Sequence, residues 1–327
     1  MYGMEETNYV LFKLFGMDVT SYAFFLTLGV ALGIVMAAVR ARKMRLSWDL
    51  PLTFGIIGIP MAVVFARAVF CLCRMVDVLD YGFEYVLHIE YGGFSLMGAA
   101  VGALLAGAIT AKIHHVSFKR VMDCTVPGML MALALARFAE GATFNGKGLE
   151  VMLSEGLQFF PIAAEGLFGE KVYAVYMGEG LTALIAAVWA QSQYYDHEGK
   201  KRPDGYAAVM GVLIVAAAQF MWECARRDDL LKSGFVRYQM VFAGAIMIIL
   251  MFLSTFKNGY SVRRKVITWV VFALCIGMNV FTEFLVDGKV IQEVPIWLCF
   301  AIHTVCAATE GVLTAKSVGC AMKNTQA

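Results

Sequence analysis

The sequence predicts an all-α polytopic membrane protein of about nine transmembrane helices, with its N-terminus outside and its C-terminus cytoplasmic. Three observations carry that prediction. The 327 residues are 60% hydrophobic and 16% charged, whereas a soluble domain carries about a quarter charged residues. Apolar runs of the length that crosses a hydrocarbon core, about 20 helical residues, recur from one end of the chain to the other. Lysine and arginine gather in alternate loops, as they do on the cytoplasmic side of a membrane.

In order, the predicted spans are Ser21–Val39, Leu50–Phe70, Phe94–Ala111 and Val121–Ala136, each closed by a charged or glycine-bearing turn. Val172–Gln191, Tyr206–Cys224, Gln239–Thr255, Val266–Val286 and Val294–Ala315 follow. Before the first span, Met1–Val10 carries Glu5 and Glu6 in place of a basic leader, so no cleaved secretory signal is expected there. The loops assigned to the cytoplasm hold Arg40, Arg42, Lys43 and Arg45, then Lys112, Lys119 and Arg120, then Lys200, Lys201 and Arg202. Lys257, Arg263, Arg264 and Lys265, with Lys316 and Lys323, complete that set. Only five acids accompany these sixteen bases, which leaves the opposite side net acidic although the whole chain is formally +2.

Eight cysteines sit in or beside the spans without paired spacing on a soluble loop, so neither a disulfide framework nor a zinc site is indicated. Cys71-Leu72-Cys73 reads as apolar interior, and His114-His115, in a basic turn, as solvated or headgroup-facing. There is no soluble domain, low-complexity tract or internal repeat. The longest extramembrane stretches, Met75–Gly93 and Arg137–Lys171, both fall outside and carry aromatic residues such as Tyr85, Tyr91, Phe144 and Phe159. That composition suits an interfacial belt or half-buried lid.

Charges inside a bilayer are costly and tend to mark function. Here they gather at one depth near the outer leaflet: Arg67 on the second span, Arg137 and Glu140 at the end of the fourth, Glu179 on the fifth, Glu223 and Arg226 on the sixth. Taken singly, each reads as an interhelical ion pair or a snorkelling side chain. Taken together, with both signs, several helices and the glycine-bearing Tyr91-Gly92-Gly93 and Asn145-Gly146-Lys147-Gly148 beside them, they suit a cavity for an anionic lipid headgroup. Arginine offers a fixed fork of donors that matches phosphate.

These residues resemble, in order from about Tyr22 to about Gln239, the bacterial prolipoprotein diacylglyceryl transferases. Ser21-Tyr22-Ala23 is similar to the family's Trp-Tyr-Gly helix opening, and Ala66-Arg67-Ala68-Val69-Phe70-Cys71-Leu72 to its Gly-Arg-Ile-Gly-Tyr-Val-Leu stretch. Gly92-Gly93-Phe94-Ser95-Leu96-Met97-Gly98 resembles the family's Gly-Gly-Met-Ser-Phe-His-Gly. Asp123, Pro127, Ala136-Arg137, Glu140 and Phe144-Asn145-Gly146 follow the best-known motif. Gly178-Glu179 stands where the family has Tyr-Glu, and Gln219, Glu223 and Arg226 where it has Arg-x-x-x-Glu-x-x-Arg. The family's histidine thus falls on Met97, its asparagine on Glu140, its tyrosine on Gly178 and one arginine on Gln219. Two helices also continue past the usual seven.

The resemblance implies transfer of the diacylglyceryl group of phosphatidylglycerol to the lipobox cysteine thiol of prolipoproteins, at the outer face of a bacterial cytoplasmic membrane. It implies a diacylglyceryl-transferase-like unit over residues 1–256 and a C-terminal extension over 257–327. Arg137, Glu140 and Tyr22 form the expected catalytic set. Arg137, Arg67, Glu179, Glu223, Arg226 and Asn145 form the expected substrate-binding set. Arg137 is expected on the phosphate, with Arg67 or Arg226 as second cation, and Glu140 as proton acceptor in place of the histidine. Phosphatidylglycerol, lipobox prolipoproteins and membrane lipid are the implied partners; nucleic acid, metal and cofactor are not. The alternatives are a relative that binds lipid or lipoprotein without transfer, one that uses another lipid acceptor, and a transporter, for which the expected half-helices or repeat are lacking.

Overall fold

The computed structural model describes residues 10–88, 93–143, 146–151, 153, 155–166, 168–196, 198–227, 231–233, 236–286 and 295–325. Among the described residues nine long helices make the body: α1 (Ser21–Lys43), α2 (Leu50–Cys73), α5 (Leu96–Ile113), α6 (Phe118–Ala139), α7 (Val175–Ser192), α8 (Tyr206–Ala225), α9 (Tyr238–Thr255), α10 (Val262–Val286) and α11 (Ile296–Asn324). Short helices α3 (Met75–Tyr81) and α4 (Glu84–Leu87) follow α2. Eight of the nine long helices are long and apolar enough to cross a membrane. The ninth, α7, is equally long as several of them but carries Gly178, Glu179 and Gly180 in its first turns and packs between α6 and α8.

The fold is that of a polytopic membrane protein. Large apolar side chains such as Ile56, Val64, Ile185 and Leu274 face outward, while Arg67, Arg137, Glu179, Glu223 and Arg226 are buried among the helices. That inversion of the soluble pattern is what lipid as solvent requires. The predicted spans fall on these helices with shifted ends. Val121–Ala136 lengthens to Phe118–Ala139, and the last span reaches Asn324 in place of Ala315. Reading by apolarity stops at the first charge, whereas backbone hydrogen bonds carry a helix on into water.

Three antiparallel strand pairs lie outside the helices among the described residues, and apolar runs gave no sign of them. β1 (Val10–Leu14) and β2 (Met17–Thr20) join through Phe15 and Gly16, both at positive φ (50° and 83°), the backbone of a two-residue hairpin turn. β3 (Ala163–Glu165) pairs with β4 (Lys171–Tyr173), and β5 (Lys232–Ser233) with β6 (Val236–Arg237).

Small residues set the closest helix crossings, where lipid supplies no hydrophobic drive and close contact must. Gly33 of α1 and Gly128 of α6 meet so closely that a Cβ on either would overlap the other's carbonyl oxygen. Gly98 and Gly102, one turn apart on α5, sit likewise against the backbone of α2 at Phe65 and Met61.

At the basic end of the bundle, α6 contains Pro127, which has no N–H to give the carbonyl of Asp123. Arg40 of α1 fills that vacancy through Nε at 2.5 Å and gives Nη1 to the carbonyls of Ala190 and Gln191, both at 2.9 Å, at the end of α7. The Asp123 carboxylate accepts from the N–H groups of Gly205 (2.6 Å) and Ala208 (2.9 Å). It thereby caps α8, whose own N-cap glycine has no side chain to do so. A loop charge in the apolarity reading, Arg40 is in fact almost wholly buried.

The last two helices share a core with α8 and α9, through Phe220, Met247, Met251, Phe272 and Ala307. Polar groups brace this packing. His303 lies 2.9 Å from the Phe220 carbonyl and 2.9 Å from Thr282 Oγ1, and Asn279 donates to Glu310 at 2.9 Å.

Candidate functional site

At the opposite end from Arg40, α6, α7 and α8 bring their charges together. Arg137, in the last turn of α6, donates from Nη1 to Glu140 Oε1 at 2.5 Å, and its Nε lies 3.3 Å from Glu179 Oε2 on α7. Arg226, which caps α8, reaches the same two carboxylates: Nη1 is 2.7 Å from Glu179 Oε2, and Nη2 is 3.3 Å from Glu140 Oε2. Two arginines and two glutamates therefore form a closed quartet. Gln219, one turn before Glu223 on α8, donates its single amide nitrogen to Glu179 Oε1 (2.9 Å) and Glu223 Oε1 (2.8 Å).

The backbone beneath the quartet is fixed by a small ladder. Gly148 N–H donates to the Tyr173 carbonyl (2.8 Å), Leu149 N–H to that of Ala225 (3.2 Å), and Arg227 N–H to that of Lys147 (3.1 Å). The segment after α6 is thus stitched between the approach to α7 and the end of α8, and this sets Arg226 against Glu140. Gly146 adopts φ +72°, and a Cβ there would come within 2.6 Å of Glu140 Oε2. Thr143 Oγ1 donates to the Glu140 carbonyl at 2.9 Å and holds the turn that bears the carboxylate.

Of the expected site residues, Arg137, Glu140, Glu179, Glu223 and Arg226 are brought together. Arg67 meets backbone carbonyls of the segment after α2. Its guanidinium donates to the carbonyls of Tyr85, Val86 (3.2 Å), His88 (3.1 Å) and Gly93 (3.1 Å) and stacks over Tyr85. Those contacts shape the loop after α2. Tyr22 stands half-buried in the first turn of α1, the helix that packs along α6 and touches the 140–142 turn. Asn145, with Phe144, Tyr91 and Gly92, lies outside the described residues.

The sequence reading missed Arg237 and Gln239. Gln239 accepts from Arg137 Nη2 at 3.2 Å. Arg237 donates to the Arg226 carbonyl at 2.6 Å and lies 4.0 Å from Glu223 and 3.6 Å from Glu283 of α10. A cation at the very start of an apolar helix on the acid-rich side was the available signal.

Two of the sequence's departures from the transferase motifs have structural counterparts. A Cβ at Gly178 would overlap the indole of Trp222, which donates to Thr182 Oγ1 at 3.0 Å, so the space a tyrosine would use there is filled from α8. Met97 is buried in an apolar cluster with Phe70, Cys71 and Leu231.

A family model described as prolipoprotein diacylglyceryl transferase matches residues 9–285. The chain belongs to that family. Among curated relatives, the phosphatidylglycerol–prolipoprotein diacylglyceryl transferase of Clostridioides difficile is 23% identical over 236 residues, 71% of this chain and 88% of the relative. That of Finegoldia magna is 24% identical over 243 residues, 73% of this chain and 93% of the relative. The protein of that name numbered 1 in Clostridium perfringens is 22% identical over 263 residues, 79% of this chain and 98% of the relative. The family match ends within α10, so α11 lies beyond it.

Proposed function

We propose that this chain transfers the diacylglyceryl group of phosphatidylglycerol to the lipobox cysteine of prolipoproteins, at the outer face of the bacterial cytoplasmic membrane. One observation carries the reading. Arg137, Glu179 and Arg226, which match the family motifs from three separate helices, meet buried in one quartet with Glu140, the residue that stands where the motif has asparagine. The outer location follows from the excess of basic residues at the other end of the helices. Residues 1–256 serve as the transferase unit on this reading, and 257–327 as its extension.

The reaction breaks the bond between the glycerol carbon of the diacylglyceryl group and its phosphate oxygen. The cysteine sulfur bonds to that carbon, its proton leaves, and glycerol phosphate departs with the bonding electron pair. The developing charge on phosphate calls for cations already in place, and Arg137 and Arg226 supply them. Their forks are occupied by glutamates, so a phosphate must displace carboxylate contacts to bind. Arg137 Nη2 is the easiest point of exchange, since it holds a neutral amide at 3.2 Å. Among the described residues three guanidiniums, of Arg137, Arg226 and Arg237, face four carboxylates, of Glu140, Glu179, Glu223 and Glu283. The surplus carboxylate leaves Glu140 free to take the thiol proton once phosphate holds the arginines. Arg67, committed to backbone carbonyls, is less suited than Arg226 as second cation, and Arg237 stands where Gln219 leaves the motif short of a charge. Tyr22 and Asn145 remain members of the proposed site through their motif positions.

A second reading, lipid or lipoprotein binding without transfer, is favoured by Met97, a buried side chain that cannot move a proton at the position where the family motif has histidine. Purified protein with phosphatidylglycerol and a lipobox peptide separates the two. Transfer predicts diacylglyceryl peptide and glycerol phosphate, both lost in Arg137→Ala; unchanged turnover in that variant would sink the site assignment. Lipid retention without product supports the second reading, as does activity that arises only in Met97→His.

A further inference from the structure

The basic end of the added helices holds a cavity of about 280 Å³ between α8, α10 and α11, far from the quartet. The 17 residue steps along α8 from Tyr206 to Glu223, which shares Gln219 with the quartet's Glu179, span about 25 Å. Arg202, Arg264, Lys316 and Lys323 line it with Tyr206 and Tyr260, and no carboxylate lines it among the described residues. Both guanidiniums are stacked: Arg202 lies 4.5 Å from the centroid of the Tyr206 ring, and Arg264 lies 3.8 Å from that of Tyr260. Stacking orders an arginine while leaving its N–H edge for an anion. Arg202 Nε is buried and has no hydrogen-bond partner among the described residues.

Cations at this end satisfy the positive-inside rule wherever they point, so charge alone proves little. The second observation lies on α11. Val305, Thr309 and Val312 line an open apolar groove of about 320 Å³. Steps of three and four residues carry the same helix face from Val312 on to Lys316, Gly319 and Lys323 of the cavity. An apolar trough thus runs at membrane depth into a basic pocket at the membrane surface, the outline of an amphiphile with an anionic head.

We propose that this face binds an anionic phospholipid of the leaflet at the basic end, with its phosphate among Arg202, Arg264, Lys316 and Lys323 and an acyl chain along Val305–Val312. The site rests on α11, which lies beyond the family match, and does not depend on the transfer reading. Free phosphate shares the headgroup chemistry but has no use for the groove.

The full chain in phosphatidylcholine nanodiscs, supplied with phosphatidic acid bearing a photoactivatable acyl chain, tests this by peptide mapping after irradiation. Label is expected on α11 between Val305 and Val312. It should fall about thirtyfold in Arg264→Gln/Lys316→Gln, the compounded effect of two charges near the surface. It should persist in Arg264→Lys/Lys316→Arg, which keeps the charge, and in Arg137→Ala, which alters only the distant quartet. Equal labelling by photoactivatable phosphatidylcholine, or undiminished labelling in Arg264→Gln/Lys316→Gln, would overturn the proposal. Inorganic phosphate that displaced the label as well as unlabelled phosphatidic acid would overturn the assignment to a lipid.

Discussion

The two ends of α6 bury arginines in opposite ways. At the basic end, Arg40 spends its donors on the carbonyls of Asp123, Ala190, Gln191 and Gln193, and among the described residues the Asp123 carboxylate accepts from backbone N–H groups alone. At the other end, Arg137 and Arg226 are met mainly by side chains: Glu140, Glu179 and Gln239. Backbone partners cannot leave without unmaking a helix terminus, whereas carboxylates and an amide can swing aside for a ligand. The partner, more than the burial, separates a buried charge that builds the fold from one that can serve chemistry. Arg67, too, gives donors to four carbonyls, those of Tyr85, Val86, His88 and Gly93.

The contrast breaks most plainly at Arg40. Arg40→Met orphans two buried carbonyls, of Asp123 and Ala190, at about 1 kcal/mol or more each, so thermal unfolding in detergent should show a loss of at least about 2 kcal/mol, while turnover per folded molecule holds. A large drop in turnover with stability intact would place Arg40 in the site. At the nearby crossing, Gly33→Val pushes a side chain into the Gly128 carbonyl. A loss of about 1–3 kcal/mol is expected from such overpacking, again without a specific effect on turnover. Glu179→Gln sharpens the other side of the comparison. It leaves three carboxylates to three guanidiniums among the described residues, so unfolding should shift by less than the roughly 3–5 kcal/mol of a buried charge left unpaired, yet transfer should fall at least about tenfold as the two arginines lose one of the two carboxylates they share. Stability and turnover falling together would make the quartet a brace.

Much of this was legible beforehand. The spans, the depth of the charges and five members of the cluster all show in one dimension, because apolar runs and rare charges are local properties. Arg237 escaped notice since its role depends on the Arg226 carbonyl, eleven residues back, and on Glu283 from α10. Arg40, taken for a loop charge, answers a carbonyl freed by Pro127 on another helix.

By itself the sequence determined that this is a polytopic helical membrane protein, which family motifs it carries, and where in them it departs. Tertiary structure alone decided which buried arginines face exchangeable side chains and which are locked to backbone. It also decided that Trp222 fills the space beside Gly178, and that α11 lays an apolar trough against a basic pocket. The physical reason is that hydrophobicity accumulates residue by residue, whereas the meaning of a buried charge rests on the partner that packing brings to it.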